Sequence, residues 1–406
     1  MRPAPRLWLW IAWGLLIIAL SYKRKVLGEE GIRPWYLPGI GFGYFILAWM
    51  ALKCHRLRCT SSRGWLELCL MSILYGLLGY LVVQSAFYPE SFRPMLYTTG
   101  TAFLIYTLSI LSILFIGWQN FILIITKILL CFGIMNVMLV LGQYLWPDEL
   151  NLLLVPFNES GFGVRISGLP GDPTHLGSFL AVAILLWFVQ KKNLSILWLP
   201  VVAFLFGTMI ATGSRNATLS LLFGGTVSIL AGERRKWARF IKVYIFILVL
   251  GLLTFWALSN TQSGLKSLED VYRIGDQNAY SRLSIWQEVY GLAGKLTFKS
   301  LLLGSGYLFI HDNYGSPYNA FIRIFLNQGF LYVSVFMLVV AGLFVVGLKN
   351  RHVFRRQTIF ALLAYWLFFS MFLDTAFAEF FHSAELCFWL AAALAVTNKI
   401  YARDTP

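Results

Sequence analysis

The sequence predicts an all-α polytopic membrane protein of about twelve transmembrane helices, the number of apolar runs long enough to cross a bilayer, with two larger loops on one side. Composition and spacing carry that prediction. Of 406 residues, 58% are hydrophobic and only 13% charged, and the mean hydropathy is +0.70. A soluble chain carries about 25% charged residues, so there is too little polar surface here to cover a water-soluble particle. The apolar residues also fall in runs of about 20, the length that crosses a hydrocarbon core about 30 Å thick.

Taken in order, residues 1–146 hold five spans, at 7–21, 36–52, 65–87, 95–117 and 120–146. The first has no small-residue cleavage site and is followed by SYKRK, which suits a retained helix rather than a signal peptide. A loop at 147–174 precedes the spans 175–190, 194–212, 215–232 and 240–259. A second, larger loop at 260–327 precedes the spans 328–348, 358–376 and 383–398 within the closing segment 328–406. Trp35, Tyr36, Trp118, Trp146 and Tyr401 lie at span edges, where aromatic belts form.

Lysine and arginine set the orientation. With both termini in the cytoplasm, the inside segments collect Lys53, Arg56, Arg58 and Arg63, then Arg234, Arg235, Lys236, Arg239 and Lys242, then Lys349, Arg351, Arg355 and Arg356. Lys23, Arg24 and Lys25 fall outside on this plan and fit it least well. The net charge of +15 is therefore mostly spent on orientation. No dense basic face is present, so nucleic acid is not an expected partner. Both large loops fall outside, which places recognition or chemistry on that side.

None of Cys54, Cys59, Cys69, Cys131 and Cys387 lies in a large outside loop, so no disulfide framework is implied. Cys54, His55 and Cys59 lack a second pair at zinc spacing, and no metal site is expected.

The informative polar residues cluster near the outer ends of spans. Arg215, in TGSRNATLSLL (212–222), sits in a turn too short to lift its guanidinium far from the bilayer. It reads either as a snorkelling arginine or as a ligand-binding one. The segment GFGVRISGLPGDPTHLGSF (161–179) takes a turn-rich path and carries Arg165, Asp172 and His175, with Thr174 placed to cap the next helix. Asp172-Pro173 is equally read as a plain turn before that helix. YSRLSIWQEVYGLAG (280–294) spaces Leu283, Trp286 and Tyr290 as an interfacial amphipathic helix, with Ser281 as its expected cap. Arg282 then falls on a first turn, where a cation is misplaced. An anionic ligand explains that, and so does an ion pair with Glu288 or Asp276. Gly304 and Gly306 mark a tight bend, followed by His311, Asp312, Asn313, Tyr318 and Asn319. Arg165, Arg215 and Arg282 together would suit a lipid-linked diphosphate, since guanidinium pairs bidentately with phosphate and stays charged.

Four segments in order resemble the O-antigen ligase/polymerase superfamily of bacterial inner-membrane glycosyltransferases. They are RISGLPGDPTHLGSFLA, TGSRNATLSLLFGG with its T-x-S-R turn, SRLSIWQEVYGLAGKLTFKSLLLGSGY, and YNAFIRIFLNQGF, which ends at Gly329. Ser300-Leu301 stands where the family usually has proline. The resemblance implies an all-helical, GT-C-like membrane fold and a metal-independent, inverting-type transfer without cofactor, facing the periplasm. Its donor would be an undecaprenyl-diphosphate-linked glycan, bound by Arg215 and Arg282. The acceptor would be a glycan or lipid A-core, and a chain-length regulator protein is an expected partner. The ligase branch places a histidine base where this chain has Tyr318. Tyrosine, with a pKa near 10, is a poor base at neutral pH. His311 or Asp172 would then take the proton, with His175, Asn313 and Asn319 as further site candidates. The substitution favours a polymerase of O-antigen, capsule or exopolysaccharide repeats over a ligase. A lipid-linked oligosaccharide flippase is a third reading, against which stand the absence of an internal repeat and the gathering of charge at one face.

Overall fold

A computed structural model describes residues 4–21, 36–54, 64–145, 158–160, 163–165, 168–170, 172–190, 198–232, 277–306, 319–372 and 383–397, with Ile245, Val249 and Phe309. The span expected at 240–259 otherwise lies outside the described residues, as do Lys23, Arg24 and Lys25.

The elements are α1 (Ala4–Ser21), α2 (Tyr36–Cys54), α3 (Trp65–Ala86), α4 (Pro89–Ile116), α5 (Trp118–Leu145), β1 (Asn158–Ser160), β2 (Gly163–Arg165), α6 (Pro173–Gln190), α7 (Trp198–Ala211), α8 (Arg215–Leu230), α9 (Gln277–Ala293), α10 (Phe298–Leu303), α11 (Ala320–Leu348), α12 (Val353–Phe372) and α13 (Ser383–Val396). The protein is an all-α membrane protein. Among the described residues, five helices are long and apolar enough to cross a bilayer: Trp65–Ala86, Met95–Ile116, Trp118–Gly142, Pro173–Gln190 and Ala320–Leu348. Shorter apolar helices cover Leu7–Ser21, Gly41–Met50, Trp198–Ala211 and Ala384–Val396. A short antiparallel hairpin, β1 with β2, lies in the first large loop and pairs Asn158 with Arg165.

Two helices form the centre. In α13 every residue from Ala384 to Val396 is buried, and in α6 so are Pro173 and His175 through Gln190. A helix apolar all round belongs inside a bundle. Around them stand α4, α12, α11 and α3 on α13, and α8, α5 and α7 on α6. Phe388 of α13 packs against Trp366 of α12 at 4.7 Å and Phe336 of α11 at 5.4 Å, so three helices meet on one aromatic cluster. The outer helices keep large apolar side chains on their free faces, such as Trp65 and Val83 on α3 and Phe330 and Leu338 on α11.

Hydrogen bonds at the helix ends define two opposite ends of the bundle. At one, Arg355 at the start of α12 is buried and donates from Nε to Leu394 O (3.1 Å) and from Nη2 to Thr397 Oγ1 (2.7 Å), with its guanidinium 5.7 Å over the Trp118 ring. Arg356 Nε donates to Ala231 O (2.9 Å) and Gln357 Nε2 to Ser228 O (3.2 Å). One turn of α12 thus closes the C-termini of both α13 and α8, whose last carbonyls lack partners within their helices. Cations also suit the negative end of a helix dipole. At the other end, the last carbonyls of α12 accept from two asparagines. Asn216 Nδ2 donates to Phe369 O (2.8 Å) and Asn319 Nδ2 to Met371 O (3.1 Å). That end gathers the N-termini of α6, α8 and α11.

Candidate functional site

The N-termini of α6, α8 and α11 begin differently, and the difference defines the site. At α6, Pro173 holds the first position, where its missing N–H costs nothing. Asp172 Oδ1 then accepts from Thr174 N (2.7 Å) and His175 N (3.2 Å). The cap is therefore Asp172 and not Thr174, because the proline at the first position puts the cap two residues upstream of the expected one. At α11, Asn319 Oδ1 accepts from Phe321 N (3.0 Å) and Ile322 N (3.1 Å) while its amide holds Met371 O.

Helix α8 has no such cap. Ser214 occupies the N-cap position with its side chain making no capping bond, and among the described residues its buried Oγ has no hydrogen-bond partner. Arg215 is the first residue of the helix and is half-buried. The 212–214 turn lies directly on α6: a Cβ at Gly177 would come within 2.7 Å of Ser214 Cβ and 2.8 Å of Thr212 Oγ1. Only glycine permits that approach, and it sets the start of α8 one turn from His175. His175 itself is buried, its ring 5.4 Å from that of Phe179.

The structure therefore brings Arg215, Asp172, His175 and Asn319 to one end of the bundle. Arg165 closes β2, and Arg282 lies on α9. His311, Asn313 and Tyr318 lie outside the described residues. Two expectations about α9 are corrected. The helix starts at Gln277, so Ser281 is not its cap and Arg282 sits in the second turn, because the helix extends upstream through Asn278, Ala279 and Tyr280. Its buried side is also offset from the Leu283–Trp286–Tyr290 stripe. Val289 is 1% exposed and packs with Ile285 and Leu292 against Leu326, Ile322 and Phe325 of α11, whereas Tyr290 is 81% exposed. The helix docks on α11 through aliphatic residues one position away from the aromatic ones.

Two residues at this end were not singled out by sequence. Asn216 is one: its role as a donor to α12 depends on a residue far along the chain. Arg323 is the other. It lies one turn beyond Asn319, is 7% exposed, and stands four residues from its cap within the last family-like segment. A buried arginine near a span edge is a legible signal, and the spacing from Asn319 was the clue.

Neither a protein-family model nor a curated protein matches the chain.

Proposed function

We propose that this chain is a periplasm-facing glycosyltransferase of the O-antigen ligase/polymerase type, polymerising undecaprenyl-diphosphate-linked oligosaccharide repeats of O-antigen, capsule or exopolysaccharide. The observation that carries the reading is Arg215 at the first position of an uncapped helix. There the helix dipole and the guanidinium have the same sign, which disfavours the arrangement by about 0.3–1 kcal/mol. A bound anion reverses that sign. Backbone N–H groups at the start of α8, the Ser214 hydroxyl and the Arg215 fork all offer donors to phosphate oxygens.

The chemistry follows from that placement. An acceptor sugar hydroxyl attacks the anomeric carbon of the donor glycan, the new glycosidic C–O bond forms, and the bond to the diphosphate breaks. Undecaprenyl diphosphate leaves, its growing charge held by Arg215. The acceptor proton passes to a base at the same end, with Asp172 and His311 as candidates. Asp172 keeps one carboxylate oxygen on the cap of α6, which fixes its orientation next to the 212–215 turn.

The same proposal includes a twelve-span plan with both termini in the cytoplasm of a bacterial inner membrane. Its support is the segregation of Arg355 and Arg356 to the end opposite Arg215, as the positive-inside rule requires. Transport is disfavoured by a feature of α11. Gly329 breaks that helix with φ 89°, as ion-coupling helices in transporters are broken. The freed carbonyls are already taken, however: Leu326 O by Ser305 N and Asn327 O by Gly306 N.

Deletion of the protein in its host, followed by analysis of surface glycan, tests the reading. Single repeats on the core identify a polymerase. Long polymer retained on undecaprenyl diphosphate identifies a ligase, and unaltered surface glycan removes both.

A further inference from the structure

The break in α11 is filled by an outside segment, and the contact is fastened from α3. Gly304 and Gly306 take φ of 87° and 105°, and Gly329 one of 89°. The two stretches touch backbone to backbone. A Cβ on Gly304 would collide with Asn327 O, and one on Gly329 with Gly304 N. Ser305 N donates to Leu326 O (3.1 Å) and Gly306 N to Asn327 O (3.0 Å). The end of α10 and the first half of α11 both leave carbonyls without helical partners, in a setting where water is scarce.

Two side chains of α3 answer those carbonyls. Gln84, 6% exposed, donates from Nε2 to Leu303 O (3.0 Å) and to Asn327 O (2.9 Å). Tyr80 donates from Oη to Leu303 O (2.7 Å), with Gln328 O at 3.4 Å. Each therefore bridges the outside segment and the broken helix. Just beyond the latch, α9 lies on the first half of α11 through Val289 and Leu326. The latch and the aliphatic contact together fix the arm 277–306 on α11, whose cap Asn319 shares the end of α12 with Asn216, the neighbour of Arg215.

We infer that Gln84 and Tyr80 are positioning residues for the transfer reaction, latching the outside arm onto the α11 break so that the arm stays docked on the first half of α11, at the bundle end where α8 starts. Nothing in the sequence of α3 marks them, since both sit in an apolar span. This inference rests on the transferase reading, and its consequences divide accordingly. The latch itself is a matter of docking, while its effect on the donor is a matter of catalysis.

Gln84→Leu keeps the side-chain volume and removes the amide. In proteoliposomes supplied with an undecaprenyl-diphosphate-linked repeat, it should raise the donor KM by about tenfold, a fraction of the hundredfold that a misplacement of about 1 Å can cost, while kcat changes less than twofold. Independently of any reaction, trypsin should cut the arm faster at the exposed Lys295 and Lys299 in the variant than in the wild type. Faster cutting with an unchanged KM shows a latch without a positioning role and overturns the inference. Unchanged cutting and unchanged KM overturn the latch as well. If Gln84→Leu does not fold, Tyr80→Phe removes one hydroxyl only and is read the same way, with a smaller rise in KM expected. Faster cutting by the variants of a wild type that transfers no glycan sinks the transferase reading and leaves the latch standing.

Discussion

The two ends of the bundle set the same side chain in different surroundings. At one, Arg355 and Arg356, themselves in the first turn of α12, reach the C-termini of α13 and α8, where their charge is favourable and their guanidinium groups meet a carbonyl or hydroxyl of the protein. At the other, Arg215 lies at a helix N-terminus, where its charge is unfavourable and the serine before it makes no cap. An arginine that the fold itself accounts for is there for stability. The proposed function gives Arg215 an anionic ligand that would offset this position. Position on their own helices does not separate the arginines of the two ends, and the C-terminal carbonyls that Arg355 and Arg356 reach on neighbouring helices are visible only in the fold.

The contrast can be broken in order of expected effect. Arg215→Ala should lower transfer by about a hundredfold or more, the loss typical of removing one charge-stabilising donor, with a smaller loss of thermal stability than Arg355→Ala. A fall in melting temperature equivalent to more than about 1 kcal/mol, beyond any dipole effect, would make Arg215 a structural residue. Arg355→Ala should do the reverse. It strips donors from Leu394 O and Thr397 Oγ1, and should destabilise the protein by about 1.5–3 kcal/mol, the range for hydrogen bonds to a charged group, while activity per folded molecule is kept. Thermal melting alongside a turnover assay reads both.

Gly177→Ala should connect the two quantities. Its added methyl meets Ser214 and Thr212, and overpacking of this kind costs about 1–3 kcal/mol. Because the displaced turn carries Arg215, turnover should fall further than stability alone accounts for. A variant with normal turnover would detach α6 from the site. The smallest effect is expected from Asn319→Asp, which keeps the oxygen that caps α11 and loses the amide donor to Met371 O. A loss near that of one neutral hydrogen bond, about 0.5–1.5 kcal/mol, should appear, whereas Asn319→Ala adds the cap itself, about 1 kcal/mol more. Equal melting of the two variants would show that the cap contributes nothing, and wild-type melting of Asn319→Asp that the contact with α12 contributes nothing.

Much of this architecture was legible in sequence, and the rest was hidden for definite reasons. Apolar runs gave spans at 65–87 and 120–146, within a few residues of the helices at Trp65–Ala86 and Trp118–Gly142, because length and hydropathy suffice when lipid is the solvent. They did not reveal that α6 and α13 are the centre while α3 faces outward, since lipid and protein interior are about equally apolar. Arg215 and Asp172 stood out because charge near a span edge is rare. Asn216, Gln84 and Tyr80 did not, because each acts on a carbonyl more than a hundred residues away along the chain. The cap at α6 was misplaced by two residues for want of weighing Pro173. The buried side of α9 could not be read from its own spacing, because aliphatic and aromatic stripes compete there and only α11 decides between them.

The central position of α13 bears on how the molecule is made. Trp389 of α13 packs against Tyr106 of α4 at 5.5 Å, yet the ribosome delivers these residues far apart in time. At about 5–20 residues per second, a helix inserted early waits roughly a quarter of a minute to a minute before its partner arrives. During biosynthesis the face of α4 that ends in the core must lie against lipid or an insertion factor, then exchange it for protein. The final helices thus complete the interior rather than decorate it, and assembly of the early ones is reversible until they do.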